Sequence, residues 1–172
     1  MALRHLQYCT CIVYSIRMSS AHFAMATHAL ALLAQSDEGY SSAYIAGSVN
    51  TGAPFLRRVL SSLVKAGFIE AQEGRDGGYR LARPADRILL SDVYRATTTE
   101  RAIPASPAEP SSRCPVGSGM RSAFGALADR VETEVIASLA ERTVADIAAD
   151  AVAHGITGRQ HARKEGLASN SP

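Results

Sequence analysis

A mainly α fold with a small β-hairpin wing and a long C-terminal helix is predicted by three observations on this 172-residue sequence. Residues 53–66 set an apolar stripe at helical spacing against a basic one, and a short helical stretch and a tight turn precede them. A Gly-rich hairpin signal follows over 68–82. After a Pro-rich break, helical periodicity returns over 120–140. Short helix, turn, basic-faced helix and hairpin, in that order, build a winged helix-turn-helix.

Taken from the N-terminus, residues 1–17 form an extension whose apolar run, Cys9 to Ile16, is short and lacks an Ala-x-Ala cleavage site. It does not read as a signal peptide. Helical patterning starts just after Met18, which is an alternative start to Met1. The first helix is expected over Ser20–Gln35, with Phe23, Ala26, Thr27, Leu30, Leu33 and Ala34 on its buried face. Ser41 or Ser42 can cap a second helix running to Val49, because a side-chain oxygen there accepts from an orphan N–H. Asn50-Thr51-Gly52 makes the turn. The third helix, Ala53–Ala66, carries Pro54 in its first turn, where a missing N–H costs nothing. Leu56, Val59, Leu60, Leu63 and Val64 form its apolar stripe, and Gly67 suits a left-handed C-cap.

Phe68–Gln72 and Tyr79–Ala82 read as paired strands joined through an Asp76-Gly77 turn. Ser91 can cap a further helix bearing Val93 and Tyr94. These elements assemble a head over 18–100. Four of the seven prolines then fall between 101 and 117, which marks a loop. Over 118–154 a long helix has a narrow seam of Phe124, Leu127, Val131, Val135 and Leu139, suited to pairing with a partner helix, and a short helix follows it. Residues 155–172 have the composition of a disordered tail.

Net charge is only +2, so bulk charge makes no case for a polyanionic partner. Its distribution is more informative. Residues 53–83 hold six basic and three acidic side chains, whereas 118–150 hold three basic and six acidic ones. A cationic end and an acidic end suit DNA contact at one end only. No apolar run approaches the roughly 20 residues of a membrane span, and a cytoplasmic location is expected. Three cysteines, an odd number, make no disulfide scaffold.

Arg57 and Arg58 are the leading candidates for DNA contact, since arginine grips guanine through paired hydrogen bonds or neutralises a phosphate. The competing reading is a solvated helix face. Ser42, Tyr44 and Thr51 lie near helix starts, where N–H groups point at phosphate, and Pro54, Ser61 and Lys65 share the outer side of the third helix. Capping, packing or a dipole contact would explain these equally well. Arg75 at the wing tip suits a minor groove and Arg80 a backbone phosphate. Cys114, beside Arg113 and before Pro115, is the candidate sensor thiol, set against an inert cysteine in a variable loop. His22 and His28 stand six apart, off the spacing of a metal pair, and read as packing or surface residues. No metal ligand set is assigned.

The chain resembles the Rrf-two-type family of bacterial transcription regulators over about Met18–Ala149, and within it the YwnA-like branch. The matching words are Ile45-Ala46, the run Leu56 to Leu60, the run Leu63 to Ile69, the run Gly77 to Pro84, and Leu90 to Tyr94. Ser48 to Thr51 and Cys114-Pro115-Val116-Gly117 point to the branch. The resemblance implies a homodimer, with the helix after Cys114 crossing to its partner. It also implies binding of palindromic operators in double-stranded DNA, usually as a repressor, under iron–sulfur, redox or metabolite control. Cluster-binding members carry three cysteines before that helix and this chain has only Cys114, which argues against an iron–sulfur cluster or other cofactor. Several relatives open the wing with an arginine directed at the minor groove; this chain has Glu73 there, with Arg75 two residues on as its substitute.

A redox-responsive repressor acting through Cys114 is the expectation. The alternatives are an iron–sulfur-sensing regulator and a winged-helix protein interaction module without DNA binding. An enzyme finds no support: there is no nucleophile–base pair, phosphate loop or H-E-x-x-H spacing.

Overall fold

The computed structural model describes residues 21–74, 77–103, 110–111 and 113–155. The N-terminal extension with Met18, the wing-tip Arg75 and the tail from 156 lie outside them. Helix α1 covers 21–33 of the described chain and buries Ala26, Ala29, Leu30 and Leu33. It closes two residues short of Gln35, where the N–H groups of Gln35 and Ser36 turn back to Leu32 and Leu33 in tighter i→i+3 bonds.

Helix α2 spans Ser42–Val49, and Ser41 rather than Ser42 caps it, its hydroxyl oxygen accepting from the Tyr44 N–H at 3.2 Å. It ends at Asn50, whose φ of 53° reverses the chain. Helix α3 spans Ala53–Lys65 and buries Leu56, Val59, Leu60 and Leu63. Val64, expected on this stripe, is instead 39% exposed, because it lies at the stripe's edge and turns toward solvent. Past the helix the Gly67 N–H bonds Val64 O and the Phe68 N–H bonds Leu63 O, each at 3.0 Å, a Schellman closure that needs Gly67 at φ 69° and buries Phe68.

Strands β1 (Ile69–Gln72) and β2 (Gly78–Leu81) pair antiparallel with Ile69 opposite Leu81 and Glu70 opposite Arg80. The hairpin is tied to the helices by a bridge in which Tyr40 and Tyr79 exchange backbone bonds of 3.0 and 2.9 Å. Gly39 makes that approach possible: at φ 80°, a Cβ would sit 2.2 Å from Tyr79 O. Gly39→Ala is therefore expected to destabilise the protein by about 2 kcal/mol or more. Gly47→Ala, in α2 with nothing within 4 Å, should stabilise it by roughly 0.5–1 kcal/mol. Denaturant unfolding of the two variants checks both signs.

After a 3₁₀ turn at Ala85–Arg87, helix α4 covers Leu90–Thr97. Ser91 does not cap it. The N-cap is Leu89 and Ser91 is buried inside the first turn, because Leu90 N–H is already bound to Arg142 O at 2.9 Å. Helix α5 spans Pro115–Ala140, about 39 Å long, so it begins inside the stretch read as Pro-rich loop. Pro115 occupies its first turn, where proline starts a helix as readily as it breaks one. Thr143 and Asp146 cap helix α6 (144–155) reciprocally through bonds of 2.7–3.2 Å.

One core joins these parts: Leu30, Leu33, Ile45, Leu56, Leu60, Leu63, Ile69, Ile88, Val93 and Val144. The bridge between Leu89 and Thr143 anchors the α5–α6 junction on the head. The loop after α4 returns along α5, where the Glu132 carboxylate accepts from the Ala102 N–H (2.8 Å) and the Tyr94 hydroxyl (3.4 Å). Arg101 pairs with Asp129 at 2.6 Å alongside.

Candidate nucleic-acid interface

The face of α3 away from the core carries Pro54, Arg57, Arg58, Ser61 and Lys65, all exposed. Spacings of three, four and seven residues keep them on one side of the rod. Buried Leu56, Val59, Leu60 and Leu63 hold the opposite side rigidly. No side chain caps the N-terminus of α3, where Gly52 is the N-cap, so the positive end of the helix is left without a side-chain acceptor.

Ser42 and Tyr44 are exposed on α2 just in front of this face, while Thr51 in the turn is half-buried, its N–H bound to Ala46 O at 3.2 Å. Tyr44 stacks on Tyr40 with ring centroids 4.7 Å apart, which orders both rings beside the wing. Tyr40 was not singled out in the sequence; the only signal was the aromatic i, i+4 spacing. Arg80 faces solvent from β2 but pairs with Glu70 at 2.8 Å, so part of its charge is spent within the wing. Arg83 lies over the Phe68 ring at 4.7 Å.

Cys114 sits elsewhere, as the N-cap of α5 and fully exposed. The N–H groups of Gly117 and then Val116 hold its thiol below the ordinary value. The cause expected from sequence, the neighbouring Arg113 charge, is not among those that shift it; the open helix end is. With Cys9 and Cys11 replaced by serine, alkylation of Cys114 should titrate with a lower midpoint in the folded protein than in urea. Equal midpoints in the two states would contradict this.

An iron–sulfur cluster is held by a set of several thiolate ligands. Among the described residues, no three His, Cys, Asp or Glu side chains come together as a ligand set. Cys114 alone does not fit one.

A core-backed, basic recognition helix with a hairpin wing beside it defines a winged-helix transcription regulator. The chain belongs to the Rrf2 family, whose model, described as an iron-dependent transcriptional regulator, matches residues 19–150. It is 34% identical over 130 residues to YwnA of Bacillus subtilis, described as an HTH-type transcriptional regulator, covering 76% of this chain and 96% of that one. The HTH-type regulator IscR of Cereibacter sphaeroides is 37% identical over 60 residues, which is 35% of this chain and 39% of that protein. Among solved structures, a transcriptional regulator from Lactobacillus plantarum superposes with a TM-score of 0.66 at 26% identity, over 84% of this chain and 97% of that one. The IscR of T. potens gives 0.56 at 25% identity, over 76% and 85%. Fold and relatives are those of transcription regulators, not enzymes. Among the described residues, no helix is long and apolar enough to cross a membrane.

Proposed function

We propose that the chain is a homodimeric, sequence-specific repressor that places α3 in the major groove of a palindromic operator. The observation that carries this reading is the exposed row Pro54, Arg57, Arg58, Ser61 and Lys65 on a helix whose reverse side is fully buried. Arg57 and Arg58 read base edges or neutralise phosphates; Ser42, Tyr44 and Thr51 position the backbone; Arg80 and the wing-tip Arg75 follow the strand outward. Dimerisation is supported by α5, where Val116 (67%), Met120 (45%) and Leu127 (44%) are exposed and Ala128 is the one buried residue.

Cys114 is the proposed redox input. Its thiolate sulfur attacks one oxygen of a peroxide, the O–O bond breaks, and sulfenic acid and hydroxide result. At the N-cap of α5, that change alters the start of the pairing helix. No cluster or other cofactor enters this reading.

Selection of bound fragments from random duplex DNA tests it. The expected product is an inverted repeat with half-sites about one helical turn, or a whole number of turns, apart. Failure to enrich any sequence would overturn the reading.

A further inference from the structure

We infer that Glu132 is a positioning residue: it sets the angle between the DNA-binding head and α5, and with that angle the half-site spacing that a dimer accepts. The spacing rests on the paired-operator reading above; the clamp itself stands on the contacts of one carboxylate.

Helix α5 has two faces with different work. At about 100° per residue, exposed Val116, Met120 and Leu127 cluster on one side, and Glu132 lies about 140° around the helix from their centre. Buried Ala128, one turn before Glu132, marks the side that packs on the head.

A rod is aimed by two fixed points. The first is the backbone junction past the C-terminal end of α5, where the Leu90 N–H bonds Arg142 O and the Val144 N–H bonds Ile88 O, each at 2.9 Å. The second is Glu132, about two turns inside the helix. Its Oε2 accepts from the Ala102 N–H at 2.8 Å and from the Tyr94 hydroxyl at 3.4 Å, so one atom joins α4 and the loop after it to α5. Tyr94 is itself held: its ring meets Phe23 of α1 edge to face, centroids 5.5 Å apart and planes at 83°. Burial, then the Glu132 charge, raise the Tyr94 pKa above its ordinary value, so the hydroxyl keeps its proton and stays a donor. Arg101 pairs with Asp129 nearby at 2.6 Å, but both side chains are more than half exposed and add little direction.

Small tilts of the head matter at the DNA. Over a lever on the order of 15 Å, half a small domain, a tilt of about 13° moves α3 by one base-pair step of about 3.4 Å. Released from Glu132, the head swings about the remaining junction and reaches half-sites at several spacings.

The test is the affinity of the full chain for its selected operator and for versions with base pairs added or removed between the half-sites, read by fluorescence anisotropy. In the parent protein, one added base pair should lower affinity about tenfold or more, because it shifts and turns one half-site against the other. In Glu132→Ala that loss should shrink to about threefold or less. Glu132→Gln keeps a carbonyl oxygen as acceptor and should retain the parent's optimum, a rescue that a merely structural role would not confine to spacing. Ala102→Pro removes the donor from an exposed loop and should broaden the optimum too, which decides the matter should Glu132→Ala not fold. A sharp parental optimum in Glu132→Ala or Ala102→Pro overturns the positioning role and leaves the operator reading standing. A parent protein that binds no duplex, or every spacing equally, overturns the operator reading and the spacing role with it.

Discussion

Arg57→Ala combined with Arg58→Ala is expected to lower operator affinity about thirtyfold or more while leaving the fold intact. Each arginine that pairs with a base edge contributes about 1–3 kcal/mol, so the pair contributes roughly 2–6 kcal/mol. Both side chains are exposed, and neither supports the buried stripe of Leu56, Val59, Leu60 and Leu63, so unfolding should move by less than about 0.5 kcal/mol. Electrophoretic mobility shift on the selected operator, run beside thermal unfolding, reads both quantities. A double variant that binds like the parent protein would place the DNA face elsewhere.

The second large effect concerns α5. Its exposed apolar residues Val116, Met120 and Leu127 recur every three to four residues together with half-buried Phe124 and Val131, which is the spacing of a pairing seam. Met120→Asp with Leu127→Asp puts two carboxylates where a partner helix is proposed to lie, and burying unpaired charge there is prohibitive. The mass in solution should fall from twice the 18.2 kDa of the chain to that of one chain. Operator affinity should fall more than a hundredfold, because each half-site must then be bound alone. Light scattering that still reports a dimer would show that α5 is not the seam.

The parts of this structure that were legible in the sequence are those governed by short-range periodicity. α3 was readable because four buried residues recur at helical spacing and Gly67 follows where a left-handed closure is needed. The hairpin was readable because the Asp76-Gly77 turn signal falls between two short strand patterns. What failed did so for tertiary reasons. Ser91 has the chemistry of a cap, but Arg142, fifty-odd residues on in the chain, supplies the backbone partner that fixes where α4 begins. Pro115 was counted with its neighbouring prolines as loop, although the same residue opens α5. Val64 looked like core by composition and lies at the margin by geometry.

The candidate site divides in the same way. The row from Pro54 to Lys65 follows from spacing alone. The tie between Tyr40 and Tyr79, the Arg80–Glu70 pair and the position of His22 behind Phe55 exist only once the elements pack. Cys114 was singled out for the charge beside it, whereas its thiol is tuned by the end of a helix whose start the prolines concealed.

The salt dependence of duplex binding examines the central claim most directly. A face that neutralises phosphates releases counterions, and each contact adds about 0.9 to the slope of log affinity against log salt. The parent protein should show a steep negative slope, and removing Arg57 and Arg58 should flatten it by up to about 1.8, according to how many of the two meet phosphate. A slope near zero in the parent protein would contradict a DNA-binding function built on α3.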